Sequence, residues 1–301
     1  MANTWMQSLR KRWLGLGVLL ALLLGLPIGC AKLEQKEREL LFRIEPGTAR
    51  WFSGMPQGIE ELQLRAPTFG SEQSIHAWWW PAARADAPTL LYLHGSRWNL
   101  TGQLFRIEQL HALGFAVLAI DYRGFGQSRG ELPSESSVYE DAAIAWQRLG
   151  DLQPDPAKRF IYGHSLGGAV AVHLAEALSR TDASPPLAGL IIESTFTSLA
   201  DAASAISNTA LPLHWLLSQK FDSLSKIDKI RVPLLIAHGT GDRYVPARFS
   251  ERLFAAAKPP KRLLLIDGAS HNNSLRLGRQ EYRQAIQALF QEQTTLAANL
   301  D

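Results

Sequence analysis

The hydrophobic residues of this chain form short apolar runs, and longer amphipathic stretches separate most of them. The alternation predicts an α/β fold with a mostly parallel, doubly wound sheet of eight strands, the first two forming a hairpin. Predicted strands lie near 59–65, 73–80, 89–94, 115–120, 159–163, 187–192, 233–238 and 262–267. Predicted helices lie near 101–113, 137–149, 166–180, 247–257 and 277–292.

The N-terminal residues 1–31 have a different pattern. Arg10, Lys11 and Arg12 precede a leucine-rich, uncharged stretch from Trp13 to Ala31. An apolar helix of this length can cross a bilayer, and the basic cluster is expected to stay on the cytoplasmic side. The sequence therefore predicts a signal or membrane anchor that places the rest of the chain outside the cytoplasm, in the bacterial periplasm or at the outer membrane.

Cys30 is the only cysteine, so no intrachain disulfide can form. Gly29 before it suits a bacterial lipoprotein cleavage box, whereas Pro27 does not. Three interpretations remain: a lipidated Cys30, an uncleaved helical anchor, or an ordinary cleaved signal. Residues 32–57 then form a charged tether or simply a solvated helix, and 58–301 form the globular domain.

Composition narrows the class of protein. The chain of 301 residues is 46% hydrophobic, enough for one substantial core. Its net charge of +3 comes from the N-terminal cluster, and the remainder carries 28 basic and 28 acidic residues. The charge therefore gives no indication of a nucleic-acid surface, and the oligomeric state does not follow from the sequence.

The pentapeptide Gly163-His164-Ser165-Leu166-Gly167 joins the predicted strand 159–163 to the predicted helix 166–180. A sharp strand-to-helix turn can hold a serine hydroxyl out of the fold, but only small residues fit around it. This context predicts that Ser165 is a nucleophile.

A nucleophilic serine requires a histidine base and an acid that orients it. Asp242 and His271 each follow a predicted strand, in the chain order expected for an open α/β sheet. Carboxyl ends of parallel strands meet at one sheet edge, so Ser165, Asp242 and His271 are predicted to form a triad. His173 and His214 lie in apolar helical runs and are expected to have packing or surface roles.

Two other strand ends carry polar residues. Glu193 is the alternative acid, although Asp242 lies on the strand immediately before the histidine strand. His238 is expected to pack beneath the turn that holds Asp242.

An attacked carbonyl also needs oxyanion donors. The backbone N–H groups of Leu166 and Ser96 are the candidates, because Leu166 follows the nucleophile and Ser96 follows the third strand. Gly95 permits a close backbone approach, and His94 is expected to fix this loop rather than to act as a second base.

These motifs resemble the α/β-hydrolase superfamily, in particular the small-capped branch of abhydrolase-domain depalmitoylases and serine-aminopeptidase-like proteins. The resemblance covers roughly residues 58 to 292. The branch commonly has Asn where this chain has Ser96. The motifs that carry the resemblance are His94-Gly95, Asp121-Tyr122-Arg123-Gly124-Phe125-Gly126, the pentapeptide 163–167 (called the elbow), Gly241-Asp242, Val245-Pro246 and Ser270-His271-Asn272.

The segment from Asp201 to Ile230 is too long for a loop and includes the apolar run 211–217. It predicts a short helical cap over the active site, at about residues 197–230. A connecting helix packed on the sheet edge is the alternative.

The predicted chemistry is hydrolysis of a carboxylic ester or thioester through an acyl-enzyme, without a metal or cofactor. The expected substrate is a small or lipid-like acyl ester. A peptidase or amidase, an acyltransferase and a non-catalytic envelope-binding module are the alternatives.

Overall fold

The computed structural model describes residues 29–65, 70, 72–180, 187–207 and 213–291. Most of the predicted membrane segment lies outside these ranges. No helix within them is long and apolar enough to cross a membrane. Residues 29–41 are helical and are called α1, and the exposed Cys30 lies in this helix.

Eight strands form one sheet in the order β1-β2-β4-β3-β5-β6-β7-β8. The β1–β2 and β2–β4 pairs are antiparallel and the other pairs are parallel, which confirms the predicted α/β architecture and its opening hairpin. The strands are β1 Glu60–Leu64, β2 Ile75–Trp80, β3 Thr89–Leu93, β4 Ala116–Ile120, β5 Arg159–His164, β6 Gly189–Glu193, β7 Leu234–Gly239 and β8 Lys261–Ile266.

The helices that follow α1 cover both faces of the sheet. They are α2 Leu100–Ala112, α3 Glu135–Leu152, α4 Leu166–Ser179, α5 Leu199–Ser207, α6 Leu213–Leu216, α7 Leu224–Ile227, α8 Arg248–Ala256, α9 Ser274–Leu277 and α10 Arg279–Ile286. A π-helical turn, Gln287–Gln291, follows α10.

The alternation of side chains along a strand divides the core into two layers. On β3, Leu91 and Leu93 belong to one buried cluster, whereas Leu90 and Tyr92 belong to the other. Successive side chains of a strand point to opposite faces, so a strand covered on both faces is apolar throughout.

The C-terminal helix predicted near 277–292 is confirmed: it is α10, which the turn Gln287–Gln291 continues. Gly278 separates α9 from α10, and a methyl group there would lie 2.3 Å from Cδ1 of Ile266 on β8. Gly278 therefore packs closely on β8, and the end of the Ile266 side chain would have to shift to admit a larger residue.

The chain between β6 and β7 contains the three short helices α5, α6 and α7, and residues 208–212 lie outside the described ranges. Residues 42–57 are not helical. Phe42 and Ala49 in this segment are buried.

Candidate active site

Ser165 occupies a strained turn between β5 and α4. Its φ of 55° and ψ of −120° lie in a region that non-glycine residues rarely adopt. A methyl group on Gly163 would lie 2.2 Å from the carbonyl oxygen of Gly167, and one on Gly167 would lie 2.1 Å from that of Leu93. The glycines therefore allow the turn that holds Ser165 at the sheet edge.

Hydrogen bonds to neighbouring segments fix the backbone of Ser165. Its N–H donates to the carbonyl oxygen of Glu193 at 2.9 Å, and its carbonyl oxygen accepts from Oγ1 of Thr195 at 2.8 Å. These two bonds tie the serine to β6 and to the chain that follows it.

Asp242 and His271 are in direct contact. Nδ1 of His271 lies 2.7 Å from Oδ2 of Asp242. Since an ionised carboxylate only accepts, Nδ1 carries the proton and donates. Nε2 of the neutral imidazole therefore keeps its lone pair and can accept a proton.

Asp242 is held by its own turn. Its Oδ1 accepts the N–H groups of Tyr244 and Val245 at 2.8 and 2.9 Å. Burial disfavours its ionisation, but hydrogen bonds from His238 and His271 outweigh burial and hold the pKa of this carboxyl well below its usual value. Asp242 is therefore an anion at neutral pH.

His238 lies beneath the Asp242 turn, in the place that the sequence suggested. Its Nε2 lies 2.8 Å from the carbonyl oxygen of Val245 and 3.2 Å from Oδ2 of Asp242. Its Nδ1 lies 2.6 Å from Oγ of Ser250. His238 and His271 therefore both contact Oδ2 of Asp242.

The loop after β8, called the histidine loop because it carries His271, contacts the turn of Ser165 through His164, the residue before the serine. Nε2 of His164 lies 2.9 Å from the carbonyl oxygen of His271, and the two ring centroids are 4.9 Å apart. Burial lowers the pKa of His164, and the nearby Arg106 lowers it further, so this ring stays neutral and Nε2–H donates. Sequence reasoning gave His164 no role, although its place in the elbow was visible.

Glu193, the alternative acid, points elsewhere. Its carboxylate accepts from Nε of Arg106 at 3.3 Å and from the hydroxyls of Tyr162 and Ser274. Both members of the Arg106–Glu193 ion pair are buried. Arg106 also donates to the carbonyl oxygen of Asn272 at 3.4 Å, so the pair also contacts the histidine loop.

Gly95 brings the loop after β3 against Ser165. A methyl group at Gly95 would lie 3.2 Å from Cβ of Ser165. His94 is fully buried, and its Nδ1 donates to the carbonyl oxygen of Gly95 at 2.7 Å. Burial also lowers the pKa of His94, so the ring is neutral and fixes the loop.

Both predicted oxyanion donors belong to segments that adjoin Ser165. Leu166 is the first residue of α4, and Ser96 follows Gly95. Within the described chain, neither main-chain N–H donates a hydrogen bond to another residue. Both groups are therefore available to an acceptor from outside.

Asp121 follows β4 and begins the motif of residues 121–126. Its Oδ1 accepts the N–H of Leu100 at 2.8 Å and so holds the first turn of α2. A methyl group on Gly126 would lie 2.1 Å from Oδ2 of Asp121. The aspartate and this glycine of the motif thus pack together beneath the loop that carries Ser96.

The remaining four histidines lie within helices and strands, away from the strand ends that carry Asp242 and His271. His173 stacks on Tyr139 with ring centroids 3.6 Å apart, and His111 stacks on Trp80 at 3.9 Å. His76 is buried on β2, and His214 lies in α6.

A cavity of about 210 Å³ lies among the cap residues. Its lining includes Thr197, His214, Leu217 and Lys220, but Ser165 and its neighbours do not line it. The cavity is therefore separate from the cluster described above.

Residues 84–226 match the family model for serine aminopeptidase S33. An uncharacterized protein of Mycobacterium tuberculosis is 36% identical over 224 residues, which are 74% of this chain and 76% of that protein. The lysophosphatidylserine lipase ABHD12 of Danio rerio is 32% identical over 206 residues. That match covers 62% of this chain and 51% of the lipase, so the chain spans about half of the lipase's length.

A solved esterase structure from Pyrococcus furiosus has the same fold, with a TM-score of 0.61 and 19% sequence identity over 81% of this chain and 96% of the esterase. From these matches and this architecture, the chain belongs to the α/β-hydrolase superfamily.

Proposed function

We propose that this protein is a serine hydrolase that cleaves carboxylic ester or thioester bonds through an acyl-enzyme on Ser165. The observation that carries the proposal is the 2.7 Å contact between His271 and Asp242, in a loop that also contacts His164, the residue before the strained Ser165. A serine acts as a nucleophile when a base takes its proton and an acid orients that base.

In this mechanism His271 accepts the Ser165 proton at Nε2 while the serine oxygen attacks the acyl carbon. Asp242 holds the ring through Nδ1 and stabilises the imidazolium that forms. The N–H groups of Leu166 and Ser96 receive the oxyanion. His271 then protonates the leaving alcohol or thiol. In the second half of the reaction, water attacks the acyl carbon, His271 takes a proton from it and returns that proton to the Ser165 oxygen as the acid leaves.

A lipid-like acyl ester is the proposed substrate. One relative is named a lysophosphatidylserine lipase and one protein of the same fold is an esterase, which supports acyl ester hydrolysis over other chemistries. The apolar segment before residue 29 and Cys30 support a membrane-attached location outside the cytoplasm, where such substrates occur. The substrate class and the membrane-attached location are both proposed.

A serine peptidase is the second candidate, favoured by the description of the matching family model. Initial rates on 4-nitrophenyl esters of increasing acyl length and on aminoacyl 4-nitroanilides test the two. We expect ester turnover that Ser165→Ala abolishes, with much slower anilide cleavage. Anilide turnover above ester turnover would favour the peptidase, and no turnover of either would contradict hydrolysis.

A further inference from the structure

The N-terminal segment that precedes β1 contacts two regions around the candidate active site. We call residues 37–51 the N-terminal brace. One end of the brace contacts the cap region, and the other contacts the loop of residues 94–99, called the oxyanion loop because it carries Ser96.

At the cap end, Glu37 of the brace and Glu135 of α3 together bind four consecutive main-chain N–H groups. Glu37 accepts from residues 218 and 219 at 2.7 and 2.8 Å. Glu135 accepts from residues 220 and 221 at 2.6 and 2.9 Å. Charge-assisted hydrogen bonds are stronger than neutral ones, so these carboxylates fix the returning chain of the cap.

At the other end, the brace runs along the oxyanion loop. The N–H of Arg43 donates to the carbonyl oxygen of Ser96 at 2.9 Å. The side-chain amide of Asn99 donates to the carbonyl oxygen of Gly47 at 2.7 Å. The brace therefore holds both the residue that offers the proposed oxyanion donor and the residue that ends the loop.

Aromatic packing joins the two ends. Phe42 is buried, and its ring makes edge contacts with Phe125 at 6.3 Å and with Phe221 of the cap region at 6.2 Å. Phe125 in turn contacts His94 at 5.0 Å. One side chain of the brace thus lies between the cap and the base of the oxyanion loop.

The oxyanion loop also contains a strained residue. Trp98 has a φ of 62°, a conformation that is unfavourable for a bulky residue and persists only where neighbours hold it. Trp51 of the brace packs edge-on against Trp98, with ring centroids 4.8 Å apart. The brace supplies part of the support that this conformation needs.

We propose that the N-terminal brace positions the oxyanion loop, so that Phe42 and Arg43 set the direction of the Ser96 N–H toward the acyl oxygen. The proposal rests on the proposed function for its kinetic consequence. Phe42 and Arg43 are positioning residues, since they act through Ser96 and not on the substrate.

Phe42→Leu in the full-length protein tests this positioning, and Phe52→Leu is the matched control. Phe52 follows the brace directly and stacks on Trp78, at 5.9 Å, instead of on the loop. We expect Phe42→Leu to lower kcat for 4-nitrophenyl acetate about tenfold and to change KM less than about twofold, because an oxyanion donor acts mainly on the transition state. Phe52→Leu should keep the wild-type kcat.

Equal losses of kcat in the two variants, or no loss in Phe42→Leu, would overturn the proposal. Hydrogen exchange of the peptide that covers residues 94–99 gives an independent result if the wild type hydrolyses no ester, an outcome that would contradict the proposed function alone. Faster exchange in Phe42→Leu than in Phe52→Leu would then support the brace, and equal exchange would overturn it.

If Phe42→Leu does not fold, Glu37→Gln replaces it, with Glu34→Gln on the exposed side of α1 as its control. Exchange in residues 218 and 219 should then be about tenfold faster in Glu37→Gln than in Glu34→Gln, because a charged acceptor is lost. Exchange of residues 94–99 is measured in the same two variants: faster exchange there in Glu37→Gln would support the proposal, and equal exchange there would overturn it.

Discussion

Asp242 accepts a hydrogen bond of 2.7 Å from His271, although the two residues are 29 positions apart in the sequence. The sheet order explains the contact, because β7 and β8 are parallel neighbours and both residues follow their carboxyl ends. Glu193 ends the neighbouring strand β6 but binds Arg106 instead. This relationship leads to separate predictions for the two carboxylates.

We expect Asp242→Asn to lower kcat on an ester substrate by about 10⁴, because the asparagine stabilises the wrong histidine tautomer. Steady-state kinetics checks this loss. Asp267→Asn, an exposed substitution just past β8, is the control and should retain activity. A loss of less than tenfold in Asp242→Asn would contradict its role as the orienting acid.

Glu193→Gln is expected to affect stability much more than the chemical step. Removing this charge leaves Arg106 buried without its carboxylate, and breaking a buried pair costs about 3–5 kcal/mol. Urea unfolding at neutral pH measures that cost. The kcat values of variant and wild type are compared without urea, at a temperature where the variant is folded. A kcat loss as large as that of Asp242→Asn would reverse the assignment of the acid.

His173 predicts a pH dependence of stability. Burial lowers its pKa from 6.5 to about 4 in the folded state. Between these values the unfolded chain binds more protons than the folded one, so this histidine makes the folded state less stable as pH falls from about 6.5 to 4.

His173→Phe keeps a ring against Tyr139 and removes the titration. The free energy of unfolding of the variant should therefore decline less than that of the wild type as pH falls through this window. Urea midpoints measured at pH 7 and pH 5 give the comparison. Parallel decline in the two proteins would show that His173 does not contribute.

Cys30 provides a test of membrane attachment. Cys30 is exposed on α1, where its thiol is accessible. If it carries lipid, Cys30→Ser should block incorporation of a labelled fatty acid and leave a precursor of higher mass. Equal incorporation in the variant would exclude lipidation at this residue, and fractionation of the wild type into the soluble cytoplasm, with residues 1–31 intact, would contradict the location.

The sequence predicted the strands well because each central strand is a run of apolar residues that both faces of the sheet bury. It also placed Asp242 and His271 at one sheet edge, since that inference needs only strand ends. The short helix α9 was not predicted; Gly278, which separates it from α10, packs against Ile266 from another element.

Two features of the site depend on contacts between distant residues and could not be predicted from local patterns. Arg106 and Glu193 are 87 positions apart, and a lone arginine in an amphipathic helix is usually solvated. Glu37 lies 181 positions from Ser218, and its run of charges predicted a tether rather than a brace. Only the folded chain brings these pairs together.

Labelling with a fluorophosphonate probe tests the central claim most directly, because the probe forms a stable adduct only with an activated serine. Mass spectrometry of the digested wild-type protein should place the adduct on Ser165, and Ser165→Ala should bind no probe while unfolding cooperatively. An adduct on another serine, or equal labelling of Ser165→Ala, would contradict the account.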